Sequence, residues 1–138
     1  MWKYYALLSA VFASLTAIFA KIGIKDINSN LATAIRTTVI LLLTWGIVLF
    51  SNVENQIKNI SFHSLIFIIL SGIATGFSWL FYYKALQIGE ASHVAPIDKL
   101  SVPLTICLSF IILKENVNIQ TIIGGLLITS GSLILLLK

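Results

Sequence analysis

The chain has 138 residues, of which 58% are hydrophobic and 10% are charged, and its mean hydropathy is +1.00. A soluble domain carries about 25% charged residues, so this composition excludes a soluble enzyme and a disordered chain. The single cysteine, Cys107, excludes a disulfide scaffold. The net charge of +4 comes from cations scattered between apolar runs, which argues against a nucleic-acid partner. The composition therefore predicts an integral membrane protein.

Five apolar segments are long enough to cross a hydrocarbon core, which needs about 20 helical residues. They are Tyr4–Ala20, Leu31–Phe50, Ser64–Tyr83, Val94–Leu113 and Ile119–Leu137. The polar connectors between them are Lys21–Asn30, Ser51–His63, Lys84–His93 and Lys114–Asn118. The apolar segments lack the alternation of a membrane β-barrel. The pattern predicts one all-α domain, residues 1–138, with five transmembrane helices.

The charges flanking the predicted spans give a weak signal for orientation. Side one, with the N-terminus, carries Lys3, Lys58 and Lys114, and side two carries Lys21, Lys25, Lys84 and Lys138, with Arg36 and Lys99 just inside the membrane. The positive-inside rule therefore favours a cytoplasmic C-terminus. The near balance also allows both orientations.

Three ionisable residues lie at membrane depth: Arg36 near the start of the second span, and Asp98 and Lys99 near the start of the fourth. Such residues are functional candidates because burying an unpaired charge in the bilayer costs several kcal/mol. Both spans begin on side two, so a contact between Arg36 and Asp98 is sterically reasonable. The alternative is that Arg36 and Lys99 extend to the headgroups while Asp98 caps a helix start.

The fourth span also carries a polar stripe. At 100° per residue, Asp98, Ser101, Thr105 and Ser109 share one face, which suits a hydrated path for a solute or a proton. The alternative is that these hydroxyls bond to carbonyls of their own helix. Two prolines, Pro96 and Pro103, are expected to bend or loosen this helix.

Small residues in the other spans favour close helix packing or dimerisation. The third span has the pair Gly72 and Gly76, and the last span contains Gly124, Gly125 and Gly131. Further along the third span, Trp79 and Tyr83 continue the packing face of the two glycines. The alternative is that Trp79, Tyr82 and Tyr83 line a cavity and stack a solute, although Tyr82 and Tyr83 also lie where an interfacial belt is expected.

Catalytic and metal-binding patterns are absent from the sequence. It contains no HExxH, no GxSxG, no phosphate-binding glycine loop and no cysteine pair. We therefore expect no enzyme, no cofactor and no metal site.

The segment GIATGFSWLFYYKALQIGEASHVAPIDKLSVPLTICLSFIILKENVNIQTIIGGLLITSG, which begins at Gly72, resembles the EamA-type domain of the drug/metabolite transporter superfamily. The matching features are the aromatic run before KALQIGEAS, Pro96 in the next helix, Glu115 after that helix and the glycine-rich last span. The stretch AIFAKIGIKDINSNLATAIRT, with Arg36 early in the second span, also fits. Lys114 departs from the family pattern, which often has glycine there.

The resemblance implies a multi-pass protein of the cell membrane (plasma or inner) that transports, and in most cases exports, a small metabolite or drug-like solute. Family members usually have ten spans arranged as two inverted five-span repeats, and this chain has one. It therefore implies a half-transporter that forms a homodimer or pairs with a homologous half-transporter. Alternating access places the substrate between the repeats near the midplane.

Two functions are compatible with the sequence. The first is transport, coupled to protons through Asp98, with a pathway formed by Arg36, Asp98, Lys99, Ser101, Thr105, Ser109, Trp79 and Tyr83. The second is a non-transporting membrane subunit that scaffolds or regulates a partner complex through its small-residue faces.

Overall fold

The computed structural model describes residues 1–137, and Lys138, one of the predicted side-two lysines, lies outside the described residues. The helices are α1 (Trp2–Gly23), α2 (Ser29–Phe50), α3 (Phe62–Ile88), α4 (Ala91–Asp98), α5 (Ser101–Leu108) and α6 (Ile119–Leu136). A short 3₁₀ helix, Glu54–Asn59, follows α2, and a π-helical turn, Ser109–Leu113, follows α5. Residues 1–137 contain no strand, and five helical stretches are long and apolar enough to cross a membrane. The predicted fold class is confirmed.

Asparagine caps mark the starts of two spans. The side-chain oxygen of Asn28 accepts a hydrogen bond from the backbone N–H of Asn30 at 2.9 Å, and α2 begins at Ser29. Asn118 accepts from the backbone N–H of Thr121 at 2.8 Å, just before α6. Each cap satisfies one of the amide groups that a helix start leaves without an intrahelical partner.

The predicted connector Lys84–His93 is wrong. Helix α3 continues to Ile88, and only Gly89 and Glu90 separate it from α4, so Lys84 and His93 are both helical. The polar residues at the end of α3 do not stop the helix, because Lys84 is exposed on its surface. The hydropathy pattern ends the predicted span before Lys84, whereas the helix continues to Ile88, the residue before Gly89.

The two prolines interrupt the fourth span at its middle. Pro103 has no N–H to donate to the carbonyl of Lys99 four residues earlier, and its ring disfavours that helical turn. The carbonyl of Lys99 instead accepts from Val102 at 2.9 Å, and Leu100 donates to Ile97 at 3.0 Å. These three-residue hydrogen bonds tighten the chain at Lys99 and Leu100, so the span consists of α4 and α5 in place of one helix. A 3₁₀-type stretch inside a helix is a common place for a hinge.

By its internal contacts the chain divides into two compact units. The middle unit is Phe19–Gln87, and the terminal unit combines Met1–Ile18 with the chain from Ile88 onward. In the middle unit, the buried residues come from the end of α1 and the turn after it, the start of α2 and the end of α3: Ala20, Ile24, Ser29, Thr33, Tyr83 and Leu86.

Two side-chain hydrogen bonds hold the end of α3 in the middle unit. The amine of Lys21 donates to the backbone carbonyl of Leu86 at 2.6 Å, and the amide of Gln87 donates to the carbonyl of Ile27 at 2.9 Å. The last carbonyls of a helix have no intrahelical partner, and a cation near them is favoured by the helix dipole. Lys21 therefore stabilises the end of α3, although the hydropathy pattern assigned it to the predicted connector Lys21–Asn30.

In the terminal unit, α6 packs against α4 and α5. Gly125 and Ser132 are buried on the packed face of α6. A Cβ added at Gly125 would lie 3.1 Å from the terminal methyl carbon of Ile106, and the hydroxyl of Ser132 donates to the carbonyl of Pro96 at 2.9 Å. A small residue and a short hydroxyl thus allow the close approach that membrane helices need to associate.

Most large apolar side chains of the spans remain exposed, including Phe12, Leu42, Phe67, Phe110 and Leu127. For an aqueous protein this exposure would be an aggregation hazard. For a multi-pass membrane protein it is the surface that the hydrocarbon chains of the bilayer cover.

Candidate functional site

Arg36 lies on the inward face of α2. The buried residues Ser29 and Thr33 precede it by seven and three positions, a spacing that places all three on one side of the helix. The hydroxyl of Thr33 donates to the carbonyl of Ser29 at 2.9 Å, so it needs no other partner. Arg36 itself is half-buried, about 10 Å along the helix axis from Ser29.

The guanidinium of Arg36 stacks on an aromatic pair from α3. Its Cζ atom lies 3.3 Å from the centroid of the Trp79 ring and 5.7 Å from that of Tyr83. Trp79 and Tyr83 are one helical turn apart, with ring centroids separated by 5.9 Å. We call Arg36, Trp79 and Tyr83 the Arg36 cluster. A desolvated cation–π contact of this kind contributes roughly 2 kcal/mol.

Within the middle unit, Arg36 has no carboxylate partner. No hydrogen bond or ion pair joins its guanidinium to another residue of 19–87, and the Tyr83 hydroxyl likewise has no hydrogen-bond partner within this range. The ring face of Trp79 offsets part of the charge but accepts none of the N–H groups in the guanidinium plane. Within residues 19–87, the cluster therefore presents a cation, in a membrane span, whose guanidinium N–H groups donate no hydrogen bond.

Asp98 and Lys99 lie in the terminal unit at the interruption of the fourth span. Asp98 is the last residue of the eight-residue helix α4, so it lies deeper in its span than the four residues predicted. Its carboxylate pairs with the amine of Lys99 at 3.5 Å, and both side chains are partly exposed. The predicted contact between Arg36 and Asp98 joins two separate units and stays a prediction.

In the polar stripe that follows Asp98, the hydroxyls of Thr105 and Ser109 donate hydrogen bonds to nearby backbone carbonyls. Thr105 donates to the carbonyl of Ser101 at 2.8 Å, and Ser109 donates to the carbonyl of Ile106 at 3.0 Å. These are the bonds to the same helix that the alternative interpretation of the stripe predicted. Ser101 and Thr105 are exposed and Ser109 is half-buried, and their oxygens keep acceptor capacity. The stripe as a path therefore stays a prediction.

The predicted packing glycines divide into two groups. Gly125 packs inside the terminal unit, as described above. A Cβ added at any of the others would meet no atom within 4 Å; these are Gly72, Gly76, Gly124 and Gly131. There is therefore room for a Cβ at each of these four glycines within residues 1–137, and their role in dimerisation stays a prediction.

A sizeable cavity lies in each unit. In the terminal unit, a mostly apolar groove of about 410 Å³ runs beside the helix interruption, lined by Pro96, Lys99, Val102, Leu127, Ile128, Gly131, Ser132 and Leu135. In the middle unit, an opening of about 710 Å³ lies where α2 meets the 3₁₀ helix, lined by Trp45, Val48, Val53, Gln56, Ile57, Asn59 and Ile60. No sequence signal distinguishes Gln56 or Asn59, because polar residues are common in a connector.

Residues 1–137 contain no group of three or more His, Cys, Asp or Glu side chains placed to hold a metal ion.

Comparison with known proteins decides the family. The model of the EamA-like transporter family matches residues 1–137. The chain belongs to the EamA-like transporter family. A relative from Sinorhizobium sp., named an uncharacterized transporter in the cobO 3' region, is 44% identical over 134 residues, which cover 97% of this chain and 95% of that protein.

An uncharacterized protein of Methanocaldococcus jannaschii is 31% identical over 132 residues, covering 94% of this EamA chain and 91% of the relative. No solved structure matches. Membership of the EamA family and the transporter-named relative support a multi-pass membrane transporter of the drug/metabolite superfamily, and they point away from an enzyme.

The stacking of Arg36 on Trp79 was not predicted, although both residues were singled out. A signal for it exists in the sequence: α2 begins and α3 ends on the same side of the membrane. Arg36 lies about 10 Å from the start of α2 and Trp79 about 13 Å from the end of α3. Similar depths allow contact, but they do not select it over the competing pairing with Asp98.

Proposed function

We propose that this EamA protein is a secondary transporter that exports a small metabolite or drug-like solute across the cell membrane by alternating access. The observation that carries the proposal is the Arg36 cluster. Burying a cation inside a transmembrane span is costly, and ionisable residues kept at such positions commonly mark a substrate or ion pathway. Aromatic faces with one convergent charged group are typical of small-molecule sites.

Proton coupling through Asp98 is the second part of the proposal. Asp98 ends a half-helix inside a span, next to the tightened turn at Lys99 and Leu100. In transporters, the ends of interrupted helices near the midplane are common sites for a coupling ion. A carboxylate there binds a proton in one state and releases it in the other.

The third part is assembly from two five-span chains. Alternating access usually requires two repeats around a central site, whereas the described chain has five candidate spans. The chain covers 95% and 91% of its two relatives, so those proteins have about the same length. An antiparallel homodimer would reproduce an inverted repeat, and its helices would pack through the open glycines Gly72 and Gly76. A parallel dimer and a pair with a homologous half-transporter are the alternatives.

Transport is tested with purified protein in liposomes that enclose a pH-sensitive dye. Under an imposed pH gradient, we expect at least one added solute to change the internal pH faster than in protein-free liposomes. Substituting Asp98→Asn removes the titrating carboxylate and should abolish this coupled proton flux. The matched control is Glu115→Gln, because Glu115 lies outside the helices. If Asp98→Asn behaved like wild type, the coupling role of Asp98 would be wrong.

A second candidate function is a non-transporting subunit that scaffolds a larger complex. The observation that favours it is the set of four glycines at which an added Cβ would meet no atom of residues 1–137 within 4 Å: Gly72, Gly76, Gly124 and Gly131. Crosslinking in native membranes distinguishes the two functions. Recovery of a dimer supports the transporter, whereas recovery only with a larger unrelated complex supports the scaffold.

A further inference from the structure

The charge balance of the Arg36 cluster is incomplete in the middle unit. Arg36 is always protonated, because its guanidinium keeps its charge in proteins. Its guanidinium pairs with no carboxylate of residues 19–87, where the acidic side chains are Asp26, in the turn after α1, and Glu54, in the 3₁₀ helix. A cation inside a membrane span normally has a partner. Within this unit, the guanidinium lies over two aromatic rings, that of Trp79 at 3.3 Å and that of Tyr83 at 5.7 Å.

The stacked geometry restricts what can complete the cluster. With Cζ 3.3 Å from the Trp79 centroid, one face of the guanidinium is covered by the indole ring. The N–H groups lie in the plane of the guanidinium and point away from its edges, so stacking leaves them available. Their fork geometry matches the two oxygens of a carboxylate or a phosphate.

A cationic solute fits this cluster poorly. Aromatic faces recognise organic cations when the face is open, but here Arg36 already occupies the face of Trp79. A second cation at this place would be repelled by the guanidinium. The cluster therefore discriminates by charge, in favour of anions.

We infer that the Arg36 cluster binds an oxyanion, a carboxylate or a phosphate group, and that the transported solute is an anion. The in-plane N–H groups of Arg36 hold the oxyanion, Trp79 fixes the plane of the guanidinium, and Tyr83 supplies a neighbouring hydroxyl donor. The transport of this anion rests on the proposed function, whereas the binding of an oxyanion by the cluster does not. The same oxyanion chemistry is found in a soluble metabolite and in an anionic lipid headgroup, so the test separates these two sources.

The test uses Trp79 as its own reporter. The chain has three tryptophans, and the double substitution Trp2→Phe with Trp45→Phe leaves Trp79 as the single fluorophore. The protein is placed in nanodiscs of neutral phosphatidylcholine, and benzoate is titrated while the emission of Trp79 is recorded. Benzamide and benzylammonium serve as neutral and cationic probes of the same shape. A second set of nanodiscs contains phosphatidylglycerol, with no benzoate.

We expect benzoate to change the emission of Trp79 saturably in neutral nanodiscs, with no such change for benzamide or benzylammonium. In the same background, Arg36→Lys keeps the charge but loses the planar fork and should weaken benzoate binding by about tenfold or more. Arg36→Gln should abolish it. Lys25→Gln is the matched control, because Lys25 is an exposed cation in the turn of the same unit and should bind benzoate like wild type. Circular dichroism establishes that each variant keeps its helices.

The two lipid compositions identify the source of the oxyanion. Saturation by benzoate in neutral nanodiscs supports a soluble anion. A response to phosphatidylglycerol without a response to benzoate supports oxyanion binding from a headgroup and overturns the anionic solute. An equal response to benzylammonium, or unchanged benzoate binding in folded Arg36→Gln, overturns the inference altogether.

Failure of this inference and failure of the proposed function give different results. Benzoate binding that depends on Arg36, without solute flux in the liposome assay, leaves the oxyanion site standing and contradicts transport. Coupled flux of a cationic solute, without benzoate binding, leaves transport standing and contradicts the anionic class.

Discussion

Lys114 adopts the left-handed backbone conformation, with a φ of 54°, where the π-helical turn after α5 ends. Its backbone N–H donates to the carbonyl of Ser109, which closes the turn. Residues with a Cβ pay a steric penalty in this conformation, and glycine does not. Helices commonly end on such a residue, which is usually glycine. The EamA pattern, which often has glycine at this place, therefore agrees with the backbone geometry found here.

We expect Lys114→Gly to stabilise the folded chain by about 0.5–1 kcal/mol, because it removes this penalty. The measurement is the midpoint of unfolding in detergent. The control is Asn52→Gly: Asn52 also has a positive φ, 52°, but asparagine tolerates this conformation better. A gain at Asn52 as large as the gain at Lys114 would contradict this explanation.

At the scale of helices, the two neighbouring glycines of α6 differ in what surrounds them. Gly125 is buried against Ile106, whereas a Cβ at Gly124 would meet nothing within 4 Å. Helices α5 and α6 therefore approach each other through Gly125.

Substituting Gly125→Leu should destabilise the chain by roughly 1–3 kcal/mol, because the new side chain overlaps Ile106 and forces the helices apart. The matched variant Gly124→Leu places the same side chain on an open face and should change unfolding by less than about 0.5 kcal/mol. Unfolding of the monomeric chain in detergent measures both. Equal losses at the two positions would show that α6 does not pack as described.

The positions of the spans were predictable from the sequence because hydropathy over 20 residues is a strong signal. Helix ends were less predictable. Lys84 is exposed on the surface of α3 and leaves the helix intact, so the charge that ended the predicted span had no effect on the backbone. The interruption of the fourth span was expected from Pro96 and Pro103. Its place at Lys99 follows from the carbonyl four residues before Pro103.

The candidate site was predictable in its residues but not in its contacts. Depth in the membrane identified Arg36, whereas its inward face follows from the burial of Ser29 and Thr33 on the same side of α2. Whether the guanidinium meets Trp79 or Asp98 depends on how the helices rotate and pack, and one sequence does not determine this. The hydroxyls of Thr105 and Ser109 show the same limit, since one residue type fits both a polar path and a bond to its own helix.

At the scale of the whole molecule, an antiparallel homodimer requires the same chain to insert in both orientations. The nearly balanced cations on the two sides of the membrane allow this. We expect a C-terminal reporter that is active in the cytoplasm and one that is active outside it to give signals of similar strength. Adding two lysines to one connector should shift all chains to one orientation and lower transport. Signal from a single orientation in the unmodified chain would exclude the antiparallel homodimer and leave a parallel dimer or a homologous partner.

Whether the Arg36 cluster belongs to an export pathway is tested by measuring the solutes in the medium around cells that express the protein. Wild type, Arg36→Gln and Lys25→Gln are compared at equal abundance in the membrane. We predict that wild type and Lys25→Gln raise the external level of the same anionic solute, and that Arg36→Gln lowers this export at least tenfold, because an unpaired oxyanion loses its charge-assisted hydrogen bonds. An Arg36→Gln profile identical to that of wild type would contradict the account.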